Sequence, residues 1–232
     1  MPTRADLTII LAHGAWADGS SWGKVIRGLR SAGLKSVAAP LPLTSLTDDV
    51  AALERTVDRV AGPSVLVGHA YAGAPIAGVR SETVKALVYI AALAPDEGET
   101  AADVFYRTEP HPNAPNLAPD AHGLIWLPEE AFQAAFAPHA SPGERALLFA
   151  VQRPIAVRCI STRIGRPLWR ERPSWFFVAE QDRMIVHENQ RFMAERMKAR
   201  VRSHPVDHTP IVTAPSVVVD LICEAASEVI AG

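Results

Sequence analysis

Val65-Leu66-Val67-Gly68-His69-Ala70-Tyr71-Ala72-Gly73 is the stretch on which the reading of this chain turns. An aliphatic run passes without a spacer into a cluster of small residues, which is how a buried strand turns at once into a helix. In the pattern G-x-S-x-G the central residue sits on a strained strand-to-helix turn. The residues two positions away on each side must be small so that the backbones can approach. Gly68 and Ala72 meet that steric demand, with Gly73 behind Ala72. The centre departs from the pattern, because Ala70 stands where the nucleophilic serine belongs, and a methyl group cannot attack a carbonyl carbon. By itself such a turn is a common strand-helix connection in α/β proteins.

Working outward, β-rich apolar runs alternate with amphipathic segments, the mark of a mostly parallel, doubly wound sheet buried on both faces. Strands are predicted at Leu7–Ala12, Lys35–Ala39, Ser64–His69, Val84–Ala91, Ser174–Ala179 and Arg200–Pro205. Helices are predicted at Ser21–Ala32, Leu46–Val60, Asn189–Lys198 and Ala214–Ile230, each with apolar residues at helical spacing. Between Pro95 and Pro173 the pattern changes: prolines cluster at 110–119, helix-like stretches fall at Glu129–Phe136 and Gly143–Val151, and no strong strand is read. That segment, 95–173, is too long for a loop and is read as a helical cap inserted into a single domain spanning 1–232.

The composition narrows the function classes. Hydrophobic residues make up 48% and charged residues 21%, an ordinary globular balance. With 23 Lys and Arg against 25 Asp and Glu, the formal charge is -2, and no basic block exists to neutralise a phosphate backbone, so nucleic acid is not an expected partner. The longest apolar run, Ala86–Ala94, is far too short for a bilayer, and Leu7–Ala12 reads as a buried strand rather than a signal peptide. Cys159 and Cys223 stand far apart in no CxxC arrangement and are read as buried structural thiols, so a soluble cytoplasmic protein is expected. The oligomeric state is left open, a homodimer included. No cofactor or metal motif is present: His204 and His208 have i, i+4 spacing, but Pro205 prevents the helix that would align them.

Three further features support a reactive elbow. His13-Gly14-Ala15-Trp16 follows the first strand, and the amides of Ala15 and of Tyr71, the residue after the elbow centre, could donate to a developing oxyanion. Each such donor is worth roughly 3 to 4 kcal/mol in known enzymes. Asp182 follows the fifth predicted strand in a position to orient a histidine, with Glu180 as second choice and a turn-capping role as the plain alternative. His208 lies in Val206-Asp207-His208-Thr209-Pro210 before the last helix, so the order elbow, acid, histidine is kept, while His187 reads as a helix-opening surface residue.

On HGAW at 13–16, VGHAYAG at 67–73, the strand leading to Asp182 and DHTP at 207–210, the chain resembles the α/β-hydrolase superfamily. Within it, the similarity is to small esterases such as plant methylesterases and hydroxynitrile lyases, over nearly the whole length. The resemblance implies an α/β-hydrolase fold, Ala15 and Tyr71 as amide donors, Asp182 as orienting acid and His208 as base. It also implies a cap that selects a small-molecule substrate. It supplies no nucleophile at Ala70. Trp16, His69 and Trp126 are expected to line the substrate pocket. The first functional reading is a carboxylic ester hydrolase inactivated by loss of its serine. The second is a serine-less enzyme using a His208–Asp182 general base for direct hydrolysis, lysis, isomerisation or cofactor-free oxygenation. The third is a ligand-binding protein without chemistry.

Overall fold

The computed structural model describes residues 3–231. The chain opens with β1 (Thr8–Ala12), α1 (Gly23–Ser31), β2 (Lys35–Ala39), α2 (Leu46–Val60), β3 (Ser64–His69), α3 (Gly73–Gly78) and β4 (Val84–Ile90). The segment read above as a cap follows: α4 (Ala101–Phe105), β5 (Leu124–Ile125), α5 (Glu129–Ala131), α6 (Pro142–Ala150), β6 (Ile155–Ala156) and α7 (Val157–Ser161). The chain then returns to the body with β7 (Ser174–Ala179), α8 (His187–Arg196), β8 (Arg200–His204), α9 (Pro210–Thr213) and α10 (Pro215–Ala231).

Six parallel strands form one sheet in the order β2-β1-β3-β4-β7-β8. Every residue of β3 and β7 is buried, which is why those segments read as unbroken apolar runs rather than alternating ones. Helix α1 packs on α10 and α2 on α3, so both faces of the sheet are covered. The chain steps from β1 outward to β2 and then back past β1 to β3. The loops leaving β1 and β3 therefore diverge at a topological switch point, where α/β sheets open a crevice.

The cap departs from its sequence reading in two places. The stretch Glu129–Phe136, expected as one helix, is a helical turn at Glu129–Ala131 followed by a π-helical turn at Phe132–Phe136. A two-stranded antiparallel pair, Leu124 opposite Ala156 and Ile125 opposite Ile155, occurs where no strong strand was expected, because two residues are too few to leave a periodic signal. Both cysteines are free, yet only Cys159 is buried; Cys223 is partly exposed on α10. No helix among the described residues is long and apolar enough to cross a membrane.

Candidate active site

The elbow is built by close backbone approach. A Cβ on Gly68 would lie 2.9 Å from the carbonyl carbon and oxygen of Ala72, and one on Gly73 would lie 2.1 Å from the Leu93 carbonyl oxygen. Only glycine fits at either place. Ala70 is held at φ +52°, a conformation uncommon for a residue with a side chain. Its carbonyl accepts the Leu93 N–H at 3.0 Å. Since a trans peptide points its C=O and N–H in opposite directions, pinning that carbonyl on Leu93 turns the Tyr71 N–H away from Leu93.

The loop after β1 lies directly against this turn. A Cβ on Gly14 would lie 2.8 Å from the Ala70 Cβ and 3.5 Å from the Tyr71 nitrogen. Trp16, next in the loop, has φ +56° and is tied to the cap twice: its backbone N–H donates to the Arg153 carbonyl at 3.0 Å and its indole N–H to the Ile125 carbonyl at 2.9 Å. The amides of Ala15 and Tyr71 have no acceptor among the described residues.

His208 and Asp182 form a buried pair. The His208 Nδ1–H donates to Asp182 Oδ2 at 2.7 Å, which fixes the tautomer and leaves Nε2 as the free nitrogen. Asp182 accepts three further bonds: the Met184 N–H at 2.7 Å and the Ile185 N–H at 2.9 Å on Oδ1, and Gln190 Nε2 at 2.9 Å on Oδ2. Asp207 holds the histidine's loop from beneath, accepting the His139 N–H of the cap at 2.9 Å and the Thr213 hydroxyl at 2.6 Å.

Ala15, Trp16, Ala70, Tyr71 and His208 share one partly open cavity. The segment between β4 and β7 contributes Phe105, Tyr106, Leu117, Ile125, Ile155 and Ile160 to its lining. No Asp, Glu, Lys or Arg lines it. The sequence matches the alpha/beta hydrolase family over residues 9–221. The chain belongs to that family.

Solved alpha/beta hydrolases share its fold. A pyrethroid hydrolase from Sphingobium faniae JZ-2 superposes with TM-score 0.80 at 22% identity, over 95% of this chain and 98% of that one. Polyneuridine aldehyde esterase gives 0.82 at 16% identity over 95% and 99%, and an Arabidopsis methylesterase 0.76 at 15% over 95% and 99%. No curated protein sequence matches.

Within this hydrolase fold two residues expected in the pocket lie elsewhere. His69 is fully buried behind the cavity, its Nε2–H donating to the His208 carbonyl at 2.7 Å with the two rings 5.0 Å apart. As the last residue of β3 it points into the body, not into the crevice. Burial, and then the neighbouring His208, push its pKa down to about 3, so the ring is neutral at ordinary pH. Trp126, just past the end of β5, is 49% exposed and gives its indole N–H to Asp120 at 3.2 Å, while its neighbour Ile125 is buried and lines the cavity instead.

Glu180, the second choice for the acid, pairs at the surface with Arg191 and Ser203. His204 stacks on Phe177, and His187 opens α8 beside Glu188. Among the described residues no cluster of three or more His, Cys, Asp or Glu is placed to hold a metal ion. The sequence reading missed Gln190, which also donates to the Ile185 carbonyl and accepts the Ala179 N–H, so it clamps the acid's loop. A lone glutamine on a surface helix carries no signal of that role.

Proposed function

We propose that this protein carries a carboxylic ester hydrolase site whose nucleophile position is filled by Ala70, and that its ligands are small, neutral, largely apolar esters. One observation carries the reading: His208, held by the buried Asp182, lines the same apolar cavity as Ala70 and as Ala15 and Tyr71, whose amides have no acceptor among the described residues. The lining supports the substrate class, since it offers an acyl or alcohol group aliphatic and aromatic contact and no ionic partner. The solved relatives called hydrolases or esterases support the reaction class. With a hydroxyl at position 70, His208 Nε2 would take its proton, the oxygen would attack the ester carbonyl, and the amides of Ala15 and Tyr71 would hold the oxyanion. With a methyl group that sequence cannot begin. The reading includes a small-molecule partner and a cytoplasmic location.

The test is Ala70→Ser assayed on a small activated ester. Loss of a triad's serine costs about a millionfold in turnover in serine proteases, so the substitution should raise hydrolysis by several orders of magnitude over the parent. A folded Ala70→Ser protein as inert as the parent defeats the proposal.

The intact His208–Asp182 pair favours a second reading, in which His208 acts directly as general base on a bound water or carbon acid, in hydrolysis, lysis, isomerisation or cofactor-free oxygenation. It requires turnover by the chain as it stands, abolished in His208→Ala. A binding protein without chemistry would instead show ligand affinity indifferent to Asp182→Asn.

A further inference from the structure

We propose that Asp49 is a positioning residue that holds the Tyr71 end of the elbow and the cap in register on one cavity. The proposal rests on the reading of Tyr71 as an oxyanion donor. Asp49 lies in the first turn of α2, fully buried. It accepts the Leu43 N–H at 2.8 Å on Oδ1, and on Oδ2 it accepts the Tyr71 hydroxyl at 2.8 Å and the Cys159 thiol at 3.7 Å. None of these three donors is a cation. A carboxylate taken out of water without a counter-charge is costly, and burial pushes its pKa up, so simple packing would be better served by an apolar side chain.

The three donors come from three places that must agree for the cavity to exist. Tyr71 carries the elbow amide, and its ring lines the cavity while its hydroxyl is turned away to Asp49. Leu43 is held at φ +58°, and its carbonyl accepts the N–H of Ala156 in β6 at 3.0 Å. Cys159 belongs to α7 of the cap, and burial, then Asp49, push its thiol up to about 12, which keeps it a donor rather than a nucleophile. One carboxylate therefore joins the elbow, the loop before α2 and the cap. Nothing in the reaction as read needs Asp49 to touch substrate, and it does not line the cavity.

The experiment compares Asp49→Asn, Tyr71→Phe and the double variant by amide NMR in the chain as it stands, and by kcat and KM in the Ala70→Ser background. Asp49→Asn should move the Tyr71 amide resonance and speed Ala156 amide exchange about tenfold, leaving Leu66 and Leu87 at the sheet centre unchanged. Tyr71→Phe should move the Ala72 amide resonance, in a residue left unchanged, and spare Ala156. The double variant should match Asp49→Asn at Ala72, because both substitutions break the same Asp49–Tyr71 bond. In Ala70→Ser, Asp49→Asn should lower kcat about tenfold with KM unchanged. An unmoved Ala72 resonance in either single variant, or additive effects there in the double, overturns the proposal. An inert Ala70→Ser protein defeats only the ester reading, since the NMR comparison stands without turnover. If Asp49→Asn does not fold, Tyr71→Phe alone decides by the Ala72 resonance, which must move if the hydroxyl's bond to Asp49 holds the elbow.

Discussion

Lowering the pH should destabilise this protein through His69 in a way one substitution removes. The folded imidazole is fully buried, its Nε2–H is spent on the His208 carbonyl, and its Nδ1 faces no partner among the described residues. A second proton would place an N–H there with no acceptor and a charge with no water. Its pKa falls from an ordinary 6.5 to about 3. Between those values the unfolded chain binds a proton that the folded chain refuses. Stability is therefore full above about pH 6.5, declines as pH falls toward about 3, and loses no more to this group below that.

The slope approaches about 1.4 kcal/mol per pH unit well inside the window, or about 2.5 kcal/mol between pH 6 and pH 4. His13, also depressed by burial, adds in the same direction; Asp49, whose pKa is raised, is stabilising at low pH and loses that contribution as pH rises through its folded value. The difference between parent and His69→Gln isolates the one group, since glutamine keeps a donor and does not titrate. Urea unfolding midpoints with their slopes, measured from pH 4 to 7, give the comparison. Stability profiles that run parallel within about 0.5 kcal/mol over that range would refute the reasoning.

Asp182→Asn should cost stability as well as chemistry, because an amide cannot accept all four donors that converge on the carboxylate and must set its own N–H against Gln190 or His208. A loss of about 2 to 4 kcal/mol, on the order of 5 to 15 °C in Tm for a domain of this size, is expected in thermal unfolding; a Tm within about 2 °C of the parent contradicts it. Gly73→Ala drives a Cβ against the Leu93 carbonyl and should lose more than about 3 kcal/mol. Gly143→Ala, with nothing within 4 Å and in the first turn of α6, should gain up to about 1 kcal/mol. Denaturation midpoints in the opposite order would show that backbone approach does not govern the elbow.

The six strands of the main sheet and four of the helices, α1, α2, α8 and α10, were legible because their signals are local. A strand buried on both faces must be apolar throughout, and a surface helix must repeat its apolar face at helical spacing, so Ser64–His69, Ser174–Ala179 and Leu46–Val60 carry their own boundaries. The small residues at 68 and 73 are equally local, since backbone atoms a few residues away or on the adjoining strand end forbid a side chain there. Other features depended on partners far along the chain. His69 turning to the His208 carbonyl 139 residues on, Trp16 giving its indole N–H to the Ile125 carbonyl 109 residues on, and Asp49 joining Tyr71 to Cys159, 110 residues beyond it, are such cases. Sequence alone fixed which residue types could form a strand, a turn or a donor. Which way each side chain faced was decided when segments distant in sequence packed together, because a buried polar group must find its partner wherever the fold has brought one.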